Sequence, residues 1–135
     1  MRIAAVLAFA AFACVSAPIS ASAEGDLARK PVELPELKIG LGEAGFGLSQ
    51  DRYEMVTGTA YSLEISSTGA QECAFRAPDF FNNIWLRKVE VGDVEVKAMA
   101  LTELEFETEG ESELYFVPIR PGEFEFVCAG LEFKG

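Results

Sequence analysis

LYFVPIRPGEFEFVCAG, residues 114–130, is the stretch whose reading decides the fold. Leu114 and Phe116 alternate with Tyr115 and Val117, the period-2 pattern of a strand with two distinct faces. Pro121-Gly122 supplies a turn, because proline presets φ at one central position and glycine tolerates a positive φ at the next. Beyond it, Phe124, Phe126 and Cys128 fall on one face, with Glu123 and Glu125 on the other. The stretch therefore predicts a hairpin whose buried face carries two phenylalanines and ends in a cysteine.

Working outward, the same logic predicts further short strands. Leu37–Leu41 and Tyr53–Val56 come first. Tyr61–Ser66 follows, with Tyr61, Leu63 and Ile65 inward, and then Cys73–Ala77, with Cys73, Phe75 and Ala77 on one face. Arg87–Val96 reads as a hairpin turning at Gly92-Asp93. Leu101–Glu107 is a strand with Leu104 and Phe106 inward. Between them, Pro78–Leu86 is dense in aromatics and predicts a loop or helical turn capping one end of the core. Its rings Phe80, Phe81 and Trp85 form a candidate docking patch. Seven or eight short strands at regular turn spacing predict an all-β protein, an antiparallel β-sandwich.

The first residues stand apart. Arg2, the apolar run Ile3–Val15 and the small residues Ala21-Ser22-Ala23 have the form of a cleaved secretory signal peptide, residues 1–23. Residues 24–36, polar and carrying Pro31 and Pro35, read as a mobile leader, and residues 37–135 as one domain. No later apolar run is long enough to span a membrane, so no membrane insertion is expected after cleavage. These features predict a periplasmic protein.

The formal net charge is −11, with no histidine in the chain. No basic patch is visible, which argues against a nucleic-acid partner. Without histidine, no Ser–His or Cys–His nucleophile pair can be built, and no enzyme is expected. Gly40, Gly42 and Gly45 spell G-x-G-x-x-G, but no helical pattern follows them, so they read as a bulged β connection rather than a dinucleotide site. Glu103 to Glu113 at every second position read as the solvated face of a strand. Two cysteines remain after cleavage, Cys73 and Cys128, and in an exported chain such a pair most often forms a disulfide.

The order L-Y-F-V-P-x-x-P-G-x-F-x-F-x-C resembles the last hairpin of the cupredoxins, the blue-copper family. Cys73-Ala74-Phe75-Arg76-Ala77-Pro78-Asp79-Phe80 resembles that family's H-E-F-x-A-P-E-F segment. The likeness spans roughly residues 36–135 and implies a single antiparallel Greek-key β-sandwich of the cupredoxin type. It implies copper handling or electron transfer as the ancestral role. Cys128 matches the family's copper thiolate, and Cys73 stands where its first histidine ligand would be. The second histidine and the axial methionine are missing, with Ala129, Gly130, Leu131 and Glu132 in that loop. If the likeness holds, the two cysteines lie close together. They would then form a disulfide, a two-thiolate site for cuprous copper helped by Met99 or Met55, or a pair of buried free thiols. The expectation is a periplasmic, non-enzymatic accessory module with a degenerate copper site. It would act in metal handling or in binding a periplasmic or membrane protein partner. The alternative is a cuprous-copper or electron-transfer protein using Cys73 and Cys128.

Overall fold

A computed structural model describes residues 30–131. The 1–23 segment read as a signal peptide lies outside the described residues. What is described is mostly β, in two sheets, with one helical turn. The larger sheet contains β1 (Val32–Glu33), β2 (Leu37–Leu41), β3 (Gly47–Leu48), β4 (Tyr61–Ser67), β6 (Ile84–Val91), β7 (Val94–Val96) and β9 (Gly110–Pro118). Its order is β3-β2-β4-β9-β6-β7, with β1 also beside β4. The smaller sheet is β10-β5-β8, from β10 (Val127–Ala129), β5 (Cys73–Arg76) and β8 (Leu104–Phe106).

β4 and β9 are the spine. They pair antiparallel from Tyr61 opposite Phe116 to Ser67 opposite Gly110. Their alternating apolar residues (Tyr61, Leu63, Ile65, Leu114 and Phe116) all point to the buried face, at 7 % exposure or less. Phe75, Cys73 and Phe106 of the smaller sheet close the same core. Gly69 ends β4 at φ +72°. A Cβ there would strike the backbone of Thr108 and Glu109, so the turns after β4 and before β9 can touch only through a glycine.

β6 shows how a parity change is absorbed. Ile84 and Leu86 face inward, and strict alternation would carry Lys88 into the core. Instead the register against β9 shifts between Leu86 and Lys88. The bulge at Arg87 turns Lys88 outward and brings Val89 inward, at 3 % exposure. The β6–β7 hairpin then turns at Gly92-Asp93, as expected, with Val91 opposite Val94 and Gly92 at φ +54°.

Three expectations are corrected. First, the pairing is not wholly antiparallel, because β1 and β2 both run parallel to β4. Parallel neighbours need a crossover connection, and after the short β3 the chain makes one through residues 49–60. Second, Tyr53–Val56 lies in that crossover and is not a strand. Side-chain bonds hold it instead: Val56 N–H donates to the Tyr61 hydroxyl at 2.9 Å, and the Tyr53 side chain ties it to the β1–β2 connection by donating its hydroxyl to the Pro35 carbonyl at 2.9 Å. Third, residues 114–130 are not one hairpin. β9 belongs to the larger sheet and β10 to the smaller, so residues 119–126 cross between sheets. Gly122 is not at positive φ; its lack of a side chain makes room for Phe124, whose ring tip lies 2.8 Å from where a Cβ would sit.

The strand pairing begins within the 24–36 stretch, with Val32 opposite Tyr61. Pro78–Phe81 forms the single helical turn α1, with Pro78 at a first-turn position where a missing N–H costs nothing. Gly40, Gly42 and Gly45, all at positive φ, build the bulged β2–β3 turn.

Candidate functional site

Cys73 opens β5, and Cys128 sits on the neighbouring β10, opposite Phe75. Their sulfurs are bonded to each other and their Cα atoms are 5.0 Å apart. Cys73 is fully buried. The resemblance thus brings together the two residues it singled out, but as a cystine. A blue-copper ion needs imidazoles and a thiolate in one plane, and this donor set does not fit it. Both sulfurs are spent on each other, and among the described residues no group of three or more His, Cys, Asp or Glu gathers. Met99 is fully exposed. Met55 packs against the core but faces a different feature, the cleft described next.

That cleft, of about 830 Å³, opens between the sheets. Its floor is the inner face of the larger sheet at Leu37, Leu63 and Phe116, and its opposite wall is Phe75, Ala77 and Phe126. One lip is residues 51–57, the crossover that the parallel pairing requires. The other is residues 118–126, the crossing between sheets. Both lips are therefore consequences of topology: where a connection rather than a strand covers the core, the rings stay partly accessible. Phe80, Phe124 and Phe126 are all half-buried.

The rings form a continuous chain. Tyr53 meets Phe126 at 6.3 Å between centroids, Phe126 meets Phe75 at 5.9 Å, and Phe75 meets Phe81 edge-on at 6.3 Å. Phe80 stands edge-on to Phe116 at 5.2 Å and lies 6.1 Å from Phe124. Such spacings are those of attractive aromatic pairs. Burial, and secondarily the charge of Glu36, push the Tyr53 phenol up to about 12. It therefore stays a neutral donor to the Pro35 carbonyl.

The candidate docking residues part company. Phe80 lines the cleft. Phe81 is buried at 6 % exposure. Trp85 is 42 % exposed on the outer face of the larger sheet, paired with Val117. The three do not share one surface.

That outer face is occupied by its own charges. Lys88 pairs with Glu90 and, at 3.0 Å, with Glu95, and its ammonium lies 4.3 Å from the centre of the Tyr115 ring. The two carboxylates hold the lysine above its ordinary range, and Lys88 in turn holds Glu90 and Glu95 below theirs. Burial, and then the bond to Glu113, push the Tyr115 phenol up. On the smaller sheet, Arg76 of β5 donates its Nε–H to Glu103 Oε2, beside β8, at 2.6 Å. Glu105, Glu107, Glu109 and Glu111 lie exposed, the solvated arrangement that their alternation predicts.

Sequence reading missed the cleft itself. Its one available signal was the aromatic and sulfur-bearing pair Tyr53 and Met55, which alternation assigned to a strand. The chain matches no protein-family model and no curated protein.

Proposed function

We propose that the protein is a non-enzymatic binding module, a Greek-key sandwich of the cupredoxin type exported to the periplasm. A cystine replaces the copper site, and the module holds an apolar ligand or an apolar group of a partner in the cleft between its sheets. The observation that carries this reading is the cleft: about 830 Å³, floored and walled by apolar side chains, within the size range of small-molecule sites. The absence of histidine and the bonded state of both cysteines support a binding rather than a catalytic role. The placement of Cys128 on the last described strand, beside the strand of Cys73, supports the cupredoxin reading.

The test uses the neutral probe N-phenyl-1-naphthylamine, whose emission rises and shifts blue in apolar surroundings. The expected result is saturable, one-to-one binding that Phe124→Asp weakens at least tenfold while the far-ultraviolet circular dichroism stays unchanged. No saturable binding, or binding indifferent to Phe124→Asp, overturns the reading.

A second reading rests on the adjacency of the two sulfurs. Once reduced, Cys73 and Cys128 would offer neighbouring thiolates to cuprous copper. A native mass spectrum of the protein matured in a periplasm decides it. A species lighter by two hydrogens that takes up no copper rejects this reading. A reduced species that gains one copper, and fails to do so as Cys73→Ser, supports it.

A further inference from the structure

We infer that the cleft selects a lipophilic organic cation: a hydrocarbon or aromatic body of drug-like size bearing an ammonium group. This inference rests on the binding reading above and names the chemical class of the ligand.

Three observations converge on it. Three half-buried rings, Phe80, Phe124 and Phe126, line one space together with the aliphatic side chains of Leu34 and Met55. Ring faces carry negative potential and attract a cation held within about 6 Å of the centroid. They therefore suit the apolar body and the flank of an ammonium alike, and offer nothing to a carboxylate.

The mouth is acidic. Asp51, Arg52, Glu54, Arg120, Glu123 and Glu125 line it, all exposed. Arg52 is engaged with Glu54 at 3.3 Å. Among the described residues, Asp51, Glu123 and Glu125 have no ion pair, and Arg120 stands alone against those three carboxylates. A cleft whose mouth carries an excess of one sign, with low-dielectric walls behind it, focuses the field and concentrates the opposite ion. The charge of the whole chain, −11, has the same sign.

The third observation is volume. About 830 Å³ suits a ligand of tens of heavy atoms rather than an extended peptide. The apolar body would lie against the half-buried Phe80, Phe124 and Phe126, with the ammonium at the mouth near Glu123 and Glu125 of one lip and Asp51 of the other.

The experiment compares three ligands with one body and different heads: 4-phenylbutyltrimethylammonium, 4-phenylbutanol and 4-phenylbutanoate. Each is titrated calorimetrically into the full mature chain, in low salt and again in 0.5 M salt. The expected order is cation tighter than alcohol by about tenfold, the energy of one desolvated cation–π contact with its carboxylates, with the carboxylate weakest. Salt should narrow the gap. The exposed-site variant Glu123→Gln/Glu125→Gln should lose about threefold for the cation and nothing for the alcohol.

If the alcohol binds as tightly as the cation, the ligand class is wrong while the cleft reading survives. If the carboxylate binds tightest, Arg120 outweighs the acids and the inference is reversed. If none of the three binds and the neutral naphthylamine probe also fails, the binding reading itself falls. A basic, phenylalanine-containing hexapeptide binding ten times tighter than the small cation would assign the cleft to a protein partner and overturn the small-ligand inference.

Discussion

The space between the two sheets has a closed half, filled by aliphatic side chains and the cystine, and an open half, lined by rings. In the closed half, Ile65, Cys73 and Leu114 are at most 1 % exposed. Strands cover them on both sides, and the cystine ties β5 to β10. In the open half, Tyr53, Phe80, Phe124 and Phe126 make ring contacts of comparable length, yet stay half-buried. The difference is the kind of cover. A strand satisfies its own backbone polar groups through the ladder and can lie flat on a core. A crossover must find partners one at a time, as Val56 does at the Tyr61 hydroxyl. It therefore arches over the core and leaves room beneath.

The contrast can be broken at Phe116, which is shared by both halves and 1 % exposed. Phe116→Ala should cost about 3–5 kcal/mol, measured by denaturant unfolding, as for large core deletions generally. A loss below about 1.5 kcal/mol would mean that the open half already lacks core packing around this ring. Removing the cystine through Cys73→Ala/Cys128→Ala should cost about 2–4 kcal/mol, because the cross-link restricts the unfolded chain across a long loop. Ring contacts and strand pairing in the closed half should persist, so the variant's near-ultraviolet spectrum should stay native-like below its melting point.

Phe124→Ala should sharpen the comparison from the other side. Phe124 is half-buried and packs on Phe80 alone among the ring pairs. The change should cost about 1 kcal/mol in stability, at the low end for aromatic truncation because the site is already open to solvent. The same variant should bind the neutral probe several-fold more weakly. A larger stability loss with unchanged binding would show that the lip is structural rather than functional.

The smallest expected effect lies at alkaline pH. The folded Tyr53 phenol ionises near 12 rather than 10, chiefly through burial. Its contribution to stability is therefore full below pH 10 and is lost as pH rises through about 12. Tyr53→Phe should flatten that loss. In an absorbance titration of phenolate, the rise at high pH should lose one late-ionising tyrosine. A Tyr53 that titrates at its ordinary value would mean that the 51–57 lip lies open in solution.

Legibility followed the range of the interactions. The inward set of β4 and the β6–β7 turn at Gly92-Asp93 are local consequences of period-2 geometry, and each stands as read, whereas Phe124 and Phe126 lie half-buried in the crossing before β10 and not in a strand. The pairing of β9 and β10 was read wrongly, because Pro121-Gly122 has the chemistry of a tight turn and nothing local reveals that its flanking strands join different sheets. Tyr53–Val56 misled for the same reason: an alternating segment carries no mark of whether a neighbouring strand is available to it. Of the site residues, sequence found Phe80 but grouped it with Phe81 and Trp85. The helical turn keeps Phe80 and Phe81 on the core side, while alternation along β6, with Ile84 and Leu86 inward, puts Trp85 on the outer face.

By itself the sequence determined the all-β class, the inward faces of β4 and β9, the acidic composition and the absence of histidine chemistry. These depend on residue type and on spacing along the chain. The Cys73–Cys128 disulfide was already the expected pairing, and the structure bears it out; only the tertiary structure decided that β1 and β2 run parallel to β4, and that two crossovers leave an aromatic cleft between the sheets. Those outcomes depend on which distant segments pair. Pairing is settled by the summed burial of the core and by the backbone bonds left over once the strands have formed.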